Sequence, residues 1–148
     1  MIDLSSRLND LIARSERDLS EISDKAASVP DVTGIWSRKQ ILGHLIDSAS
    51  NNHQRFVRAQ LQDELRWPSY DQAGCVRVQR YEDAKWKDLV GFWAAYNRFL
   101  AHLLAGVKQE KLRVPCWIGN SPVMTLEELA VDYVRHLEHH LNQIRAKT

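Results

Sequence analysis

The run His136-Leu137-Glu138-His139-His140 sets two imidazoles four residues apart. On a helix that spacing is about one turn, so His136 and His140 stand on one side and can close on a single divalent ion. Two histidines rarely complete a site, and the candidate for a third is His44, within Ile41-Leu42-Gly43-His44-Leu45-Ile46-Asp47. Three neutral imidazoles on one face of an ion, with the remaining positions left to water, describe an open, catalytic type of site rather than a closed structural one. Asp47, one turn beyond His44, is the nearby carboxylate that could act as a base or support a ligand. His139 falls on a different face from its neighbours, Glu138 faces away, and His53 and His102 have no spacing partner and read as surface or packing residues.

An isolated pair of histidines one turn apart can equally be a solvated pair that binds nothing. What separates the two cases is the neighbourhood of His44. Asp47, Ser48, Asn51 and Asn52 interrupt an apolar helix where a plain bundle would carry Leu or Ala. Buried polar groups cost free energy unless paired, so their clustering points to a hydrated cavity. Consecutive residues do not share a helix face, which puts some of the four outside it.

These side chains need helices to hold them, and the sequence supplies four. Leu4, Leu8, Leu11, Ile12, Leu19 and Ile22 recur at three- and four-residue steps, predicting an amphipathic first helix that ends before Pro30, with Pro30 to Gly34 as connector. Trp36-Ser37-Arg38-Lys39-Gln40-Ile41 carries the marks of a second helix start: Ser37 as cap, Gln40 to close a capping box, Trp36 and Ile41 as a hydrophobic staple. That helix runs to about Leu65, and Pro68 marks the exit. A third is read from Trp86, Leu89, Val90, Trp93, Tyr96, Leu100, Leu103 and Leu104, closing near Gly106. Met124-Thr125-Leu126-Glu127-Glu128-Leu129 repeats the capped start, and Leu126, Leu129, Ala130, Tyr133, Val134, Leu137, Leu141 and Ile144 line the fourth helix, with Arg145 and Lys147 suited to its C-terminal end. No segment sustains strand alternation, so the class is all-α, a four-helix bundle forming one domain over residues 1–148. The connections from about Trp67 to Asp83 and from Val107 to Met124 are long for a compact domain. They should roof one end of the bundle with Trp67, Pro68, Tyr70, Tyr81, Pro115 and Trp117.

Composition narrows the function. At 148 residues the chain can bury roughly 70% of its unfolded surface, and Lys+Arg 20 against Asp+Glu 19 leaves a formal charge of +1. No field draws phosphates or anionic lipid, so nucleic acid and membrane are not expected partners and a small-molecule substrate is. The absence of a membrane span or leader pattern gives a soluble, cytoplasmic expectation. Cys75 and Cys116 form no C-x-x-C pair and are expected as free thiols.

Several of these segments together resemble the DinB-like superfamily. They are Trp36-Ser37 leading into Gln40-Ile41-Leu42-Gly43-His44-Leu45-Ile46-Asp47-Ser48, the stretch Pro68-Ser69-Tyr70-Asp71-Gln72, the later Tyr81 and Trp86, and the closing His136-x-x-His139-His140-x-x-Gln143-Ile144. Within that superfamily the chain is most similar to the YfiT-type metal-dependent hydrolases, over about its last three-quarters. The resemblance implies a four-helix bundle holding one divalent ion, commonly nickel, zinc or iron, through three histidines that map onto His44, His136 and His140, with His139 at a position that is usually not a ligand. Related members include bacillithiol-using S-transferases and a mycothiol-dependent isomerase, so a low-molecular-weight thiol is an implied cofactor. Cys75 stands where many relatives have an aromatic residue.

Three functions stay open on this sequence. The ion can activate water for hydrolysis or a thiol for transfer; it can pin two helices together without catalysis; or the histidines can be incidental in a bundle that serves as a structural homodimer.

Overall fold

The computed structural model describes residues 1–30 and 36–146. The predicted connector therefore lies outside the described residues from Asp31 onward, as does Lys147. Four long helices carry the architecture: α1 (Ile2–Ser20), α3 (Arg38–Leu61), α5 (Trp86–Ala105) and α6 (Leu126–Ala146), with two short ones, α2 (Asp24–Ser28) and α4 (Gln72–Gln79). Helix α1 packs on α5, α5 on α3, α3 on α6, and α6 returns to α1, closing a four-helix ring. Leu8, Ile12, Leu19, Ile41, Leu45, Phe56, Trp93, Leu100, Leu104, Leu137 and Ile144 fill its centre, each no more than 1% exposed.

Both predicted helix starts form. The Ser37 hydroxyl accepts from Gln40 N (3.3 Å) and the Ser37 amide donates to Gln40 Oε1 (2.9 Å), so two of the otherwise orphaned groups at the start of α3 are satisfied together. At α6 the Thr125 hydroxyl accepts from Glu128 N (3.2 Å), and the Thr125 amide (2.8 Å) and hydroxyl (3.0 Å) donate to Glu128 Oε2, which holds the Glu128 carboxyl below its usual range. Gly106 does cap α5, in ordinary right-handed conformation (φ −83°). The first helical region is in two pieces. Helix α1 stops at Ser20 and a separate turn of helix begins behind Ser23, whose side chain accepts from Ala26 N. Asp24 on that turn then ties three elements together, accepting from Trp86 N (2.8 Å) and from the buried Lys39 ammonium (3.0 Å).

The two long connections differ most from expectation, because each contains strand. β1 (Leu65–Trp67) pairs in parallel with β2 (Pro115–Ile118), and β2 pairs antiparallel with β3 (Met124–Thr125). Strands of two to four residues have no room for a period-two pattern, which is why the sequence does not announce them. Gly119 ends β2 in the left-handed region (φ +56°), where its amide donates to Trp67 O (2.9 Å) and a side chain would be strained. Of the expected aromatic roof, Trp67 lies under the Arg58 guanidinium and Trp117 under that of Arg66. Tyr81 is not a roof residue. It is buried against α3, over Gly43, where an added Cβ would overlap its ring.

Candidate metal centre

Helix α3 touches α4, α5, α6 and β1, so its middle is enclosed on nearly every side. Ile41 to Ala49 are all buried, polar residues included. That is the physical reason Asp47, Ser48 and Asn52 are all inside although consecutive residues point in different directions; only Asn51 stays half-buried. Asn51 and Asn52 spend amide hydrogens on the carbonyls one turn back, Asp47 O and Ser48 O, each at 2.9 Å.

The three histidines singled out from the sequence come together across the α3–α6 seam. One ring nitrogen from each of His44, His136 and His140 lies within 4.8 Å of the others, and the ring centroids are 4.6 to 5.0 Å apart. His44 Nε2 and His136 Nε2 face each other at 3.1 Å. His140 Nδ1 is 2.9 Å from Gln143 Oε1, an acceptor, so the proton sits on Nδ1 and the lone pair on Nε2. Gln143, one turn further along α6, thus selects the tautomer that a ligand needs. Trp36, just before α3, packs beside His44, with the two ring centroids 5.4 Å apart.

Burial is the main reason all three rings resist protonation. His44 is pushed down to about 4, first by desolvation and then by His140 and His136. His136 is likewise pushed down to about 4 by desolvation and His140, against a smaller opposing pull from Asp132. His140 is also lowered, by burial and by His139, partly offset by its bond to Gln143. At neutral pH the cluster is therefore a set of uncharged nitrogen donors. The donor set fits a divalent ion: nitrogens bonded at about 2.0–2.1 Å in tetrahedral array sit about 3.4 Å apart, a spacing these rings bracket. His139 is exposed and outside the cluster, although its ring contacts His140. His53 bonds Tyr96 OH through Nδ1 (3.0 Å) and packs on Phe99, a packing role, while His102 is exposed.

Through His136 the cluster borders a cleft of about 250 Å³ between α3, α6 and the sheet. His136 is on its wall, with Ser48, Asn52, Arg55, Tyr70 and Asp132. Asp47 is not on that wall and turns toward α4. Its Oδ1 accepts from Tyr81 OH (2.7 Å) and Gln79 Nε2 (2.6 Å), while Oδ2 is buried without a partner. Tyr70 is held protonated, pushed up to about 12 by burial and then by the Asp47 carboxylate. Neither thiol is activated: burial raises Cys116 to about 11, and burial with Asp47 raises Cys75. Both are free, Cys116 in β2 and Cys75 in α4 rather than in loops.

Arg55 and Gln143 carry no role in the sequence analysis, yet both have a signal. Arg55 lies three turns beyond His44 on α3, and Ser48 and Asn52 step along the same side. A cation at that register, next to the core residue Phe56, is the mark that could have found it.

Residues 7–144 match the DinB superfamily. The chain belongs to the DinB superfamily. Among curated proteins it is similar to one from Bacillus pumilus named "Putative metal-dependent hydrolase", at 25% identity over 139 residues, 93% of this chain and 79% of that protein. Among solved structures it matches YfiT from Bacillus subtilis, described as "a probable metal-dependent hydrolase with an unusual four-helix bundle topology". That match has a TM-score of 0.85 at 20% identity, over 97% of this chain and 82% of the other. It establishes the bundle fold. Among the described residues no helix is long and apolar enough to cross a membrane.

Proposed function

We propose that this DinB-superfamily chain is a metal-dependent enzyme acting on small molecules, with a divalent ion held by His44, His136 and His140. Nickel, zinc and iron are the candidate ions. The observation that carries this reading is the convergence of three uncharged ring nitrogens from two facing helices, one of them, His136, at the wall of a cleft. A purely structural site would be closed by a fourth protein ligand; the cluster found among the described residues has three members and a cleft beside them. The metal-dependent hydrolase name of the Bacillus pumilus relative supports the same class.

When bound, such an ion acts as a Lewis acid and lowers the pKa of a water or thiol that reaches it. The chain's own part is to keep His44 and His136 unprotonated by burial, to hold His140 in one tautomer through Gln143, and to pack Trp36 beside His44. Tyr70 keeps its phenolic proton at the cleft and is available as a hydrogen-bond donor. Asp47 orients Tyr81 and Gln79 and imposes negative potential on Tyr70, a positioning role rather than direct proton transfer.

The nucleophile comes from outside the chain in this account, because both cysteines hold their protons. Water gives hydrolysis; a low-molecular-weight thiol gives S-transfer, and the second reading rests on that same observation. The test is turnover by tag-free protein against a panel of activated esters and, in parallel, thiol conjugation to a small electrophile. Activity should disappear on chelation and return with one of the candidate ions. Activity that survives chelation contradicts the reading.

A further inference from the structure

Among the described residues the buried charged side chains Lys39, Asp47 and Arg55 are answered by their neighbours to different degrees. Lys39, 3% exposed, reaches Asp24 Oδ2 and Glu82 O. Asp47, 6% exposed, accepts from Tyr81 and Gln79. Arg55 is 7% exposed and is the least well answered of the three. Its Nη1 donates one long bond to Asn52 Oδ1 (3.3 Å), its Nε is buried without a partner, and among the described residues no carboxylate lies within ion-pairing distance. The carboxylate that shares the cleft, Asp132, is paired with Arg135. Surface arginines of the same chain find acids readily, as in Arg7–Glu138 and Arg145–Asp18.

A guanidinium does not release its proton to escape such a site, so burial leaves a desolvated cation with unused donors. An unpaired buried charge is strongly destabilising, so packing alone does not account for keeping it. Arg55 lies on the wall of the cleft that His136 also lines, with Asn52, Ser69, Tyr70 and Ser121 as further hydrogen-bonding groups around it. The fork of Nε and Nη donors matches two oxygens of one anionic group.

We propose that the cleft contains an oxyanion subsite at Arg55, which takes a carboxylate or phosphate group of the molecule presented to the histidine cluster. The substrate or thiol is then a small anion, bound by its charged end at Arg55 with its reacting end toward His136. This assignment rests on the reading of the cleft as the approach to the metal centre, but the anion site itself does not require the ion.

The test uses the full chain freed of metal by chelation. It is titrated with inorganic phosphate, with malonate, and with malonamide as the uncharged counterpart, following the Arg55 Nε–H resonance and the binding heat. Saturable binding of an anion at Arg55, with malonamide inert, is expected; the tighter of phosphate and malonate identifies the source of the oxyanion. Arg55→Met should weaken it about ten- to a hundredfold, the worth of charge-assisted hydrogen bonds. Arg55→Lys should fall between, keeping charge but losing the fork. His140→Ala should leave metal-free anion binding within about twofold. If Arg55→Met binds the anions as well as the parent, or if malonamide competes equally, the proposal is overturned. It is also overturned if binding needs added metal and vanishes in His140→Ala, since the anion then sits on the ion; the metal centre survives that result. Conversely, anion binding at Arg55 in a protein that takes up no metal supports the subsite and removes the reading under Proposed function. The titration of the parent protein decides the matter even if Arg55→Met fails to fold.

Discussion

The two seams of the bundle are built to different rules. Between α1 and α5 the buried side chains include Leu8, Ile12, Leu19, Leu100 and Leu104, and most polar atoms there are answered: Ser5 donates to Ala101 O (2.7 Å) and Trp86 Nε1 to Leu19 O (2.8 Å), while Trp93 Nε1 on α5 is left over. Along α3 and α6 the buried set includes His44, Ser48, Asn52 and Arg55. Among the described residues, the buried side-chain atoms left without a partner all belong to α3 or α6 except that Trp93 Nε1: His44 Nδ1, Asp47 Oδ2, Arg55 Nε and His136 Nδ1. The first seam holds the fold. The second spends stability on unanswered polar groups, the pattern expected where a site is poised for a ligand.

That contrast can be broken most forcefully on the apolar side. Trp93 is fully buried, and Trp93→Ala should destabilise by about 3–5 kcal/mol in chemical denaturation, in keeping with loss of a large core aromatic. A cost below about 1 kcal/mol would mean the apolar core is not what holds the bundle. Next comes Gly43→Ala, whose Cβ would overlap the Tyr81 ring. It should cost about 1–3 kcal/mol by overpacking and loosen the Tyr81–Asp47 contact beside the site; nuclear magnetic resonance of the Tyr81 ring would register the shift. Removing the α3 cap with Ser37→Ala should cost about 1 kcal/mol, read as a lower melting temperature, because the Gln40 amide is orphaned at the start of the helix that carries His44.

The smallest expected effect concerns protons. Since His44 and His136 are held down to about 4 in the folded chain, they are already neutral at pH 7. Metal binding there should release almost no protons, measured by calorimetry in buffers of different ionisation heat. Affinity should stay flat with pH until acid approaches that value. The linkage has a definite sign: below about 6.5 the unfolded chain takes up protons that the folded rings refuse, so stability falls as pH drops from there toward about 4 and is level above it. Stability that rises on acidification through this window would contradict the buried, neutral cluster.

Legibility followed the length of the pattern. Helix periodicity and two capping boxes located α3, α5 and α6 within a few residues, because twenty-odd positions repeat the same message. The sheet was invisible, since β1, β2 and β3 depend on partners from distant segments rather than on a local period. At the site, helical spacing placed His136 beside His140, and the capped α3 brought His44 to them. What spacing could not give was direction around an enclosed helix: Asp47 turned to Tyr81, while Arg55, three turns on from His44, became part of the cleft.

The central claim is that His44, His136 and His140 hold one divalent ion. Elemental analysis of protein purified without a histidine tag, beside His44→Ala, His136→Ala and His140→Ala, tests it most directly. About one ion per chain in the parent, and a large loss of it in each variant that remains folded, is the predicted result. A parent that takes up no ion, or variants that bind it as well as the parent, would contradict the account.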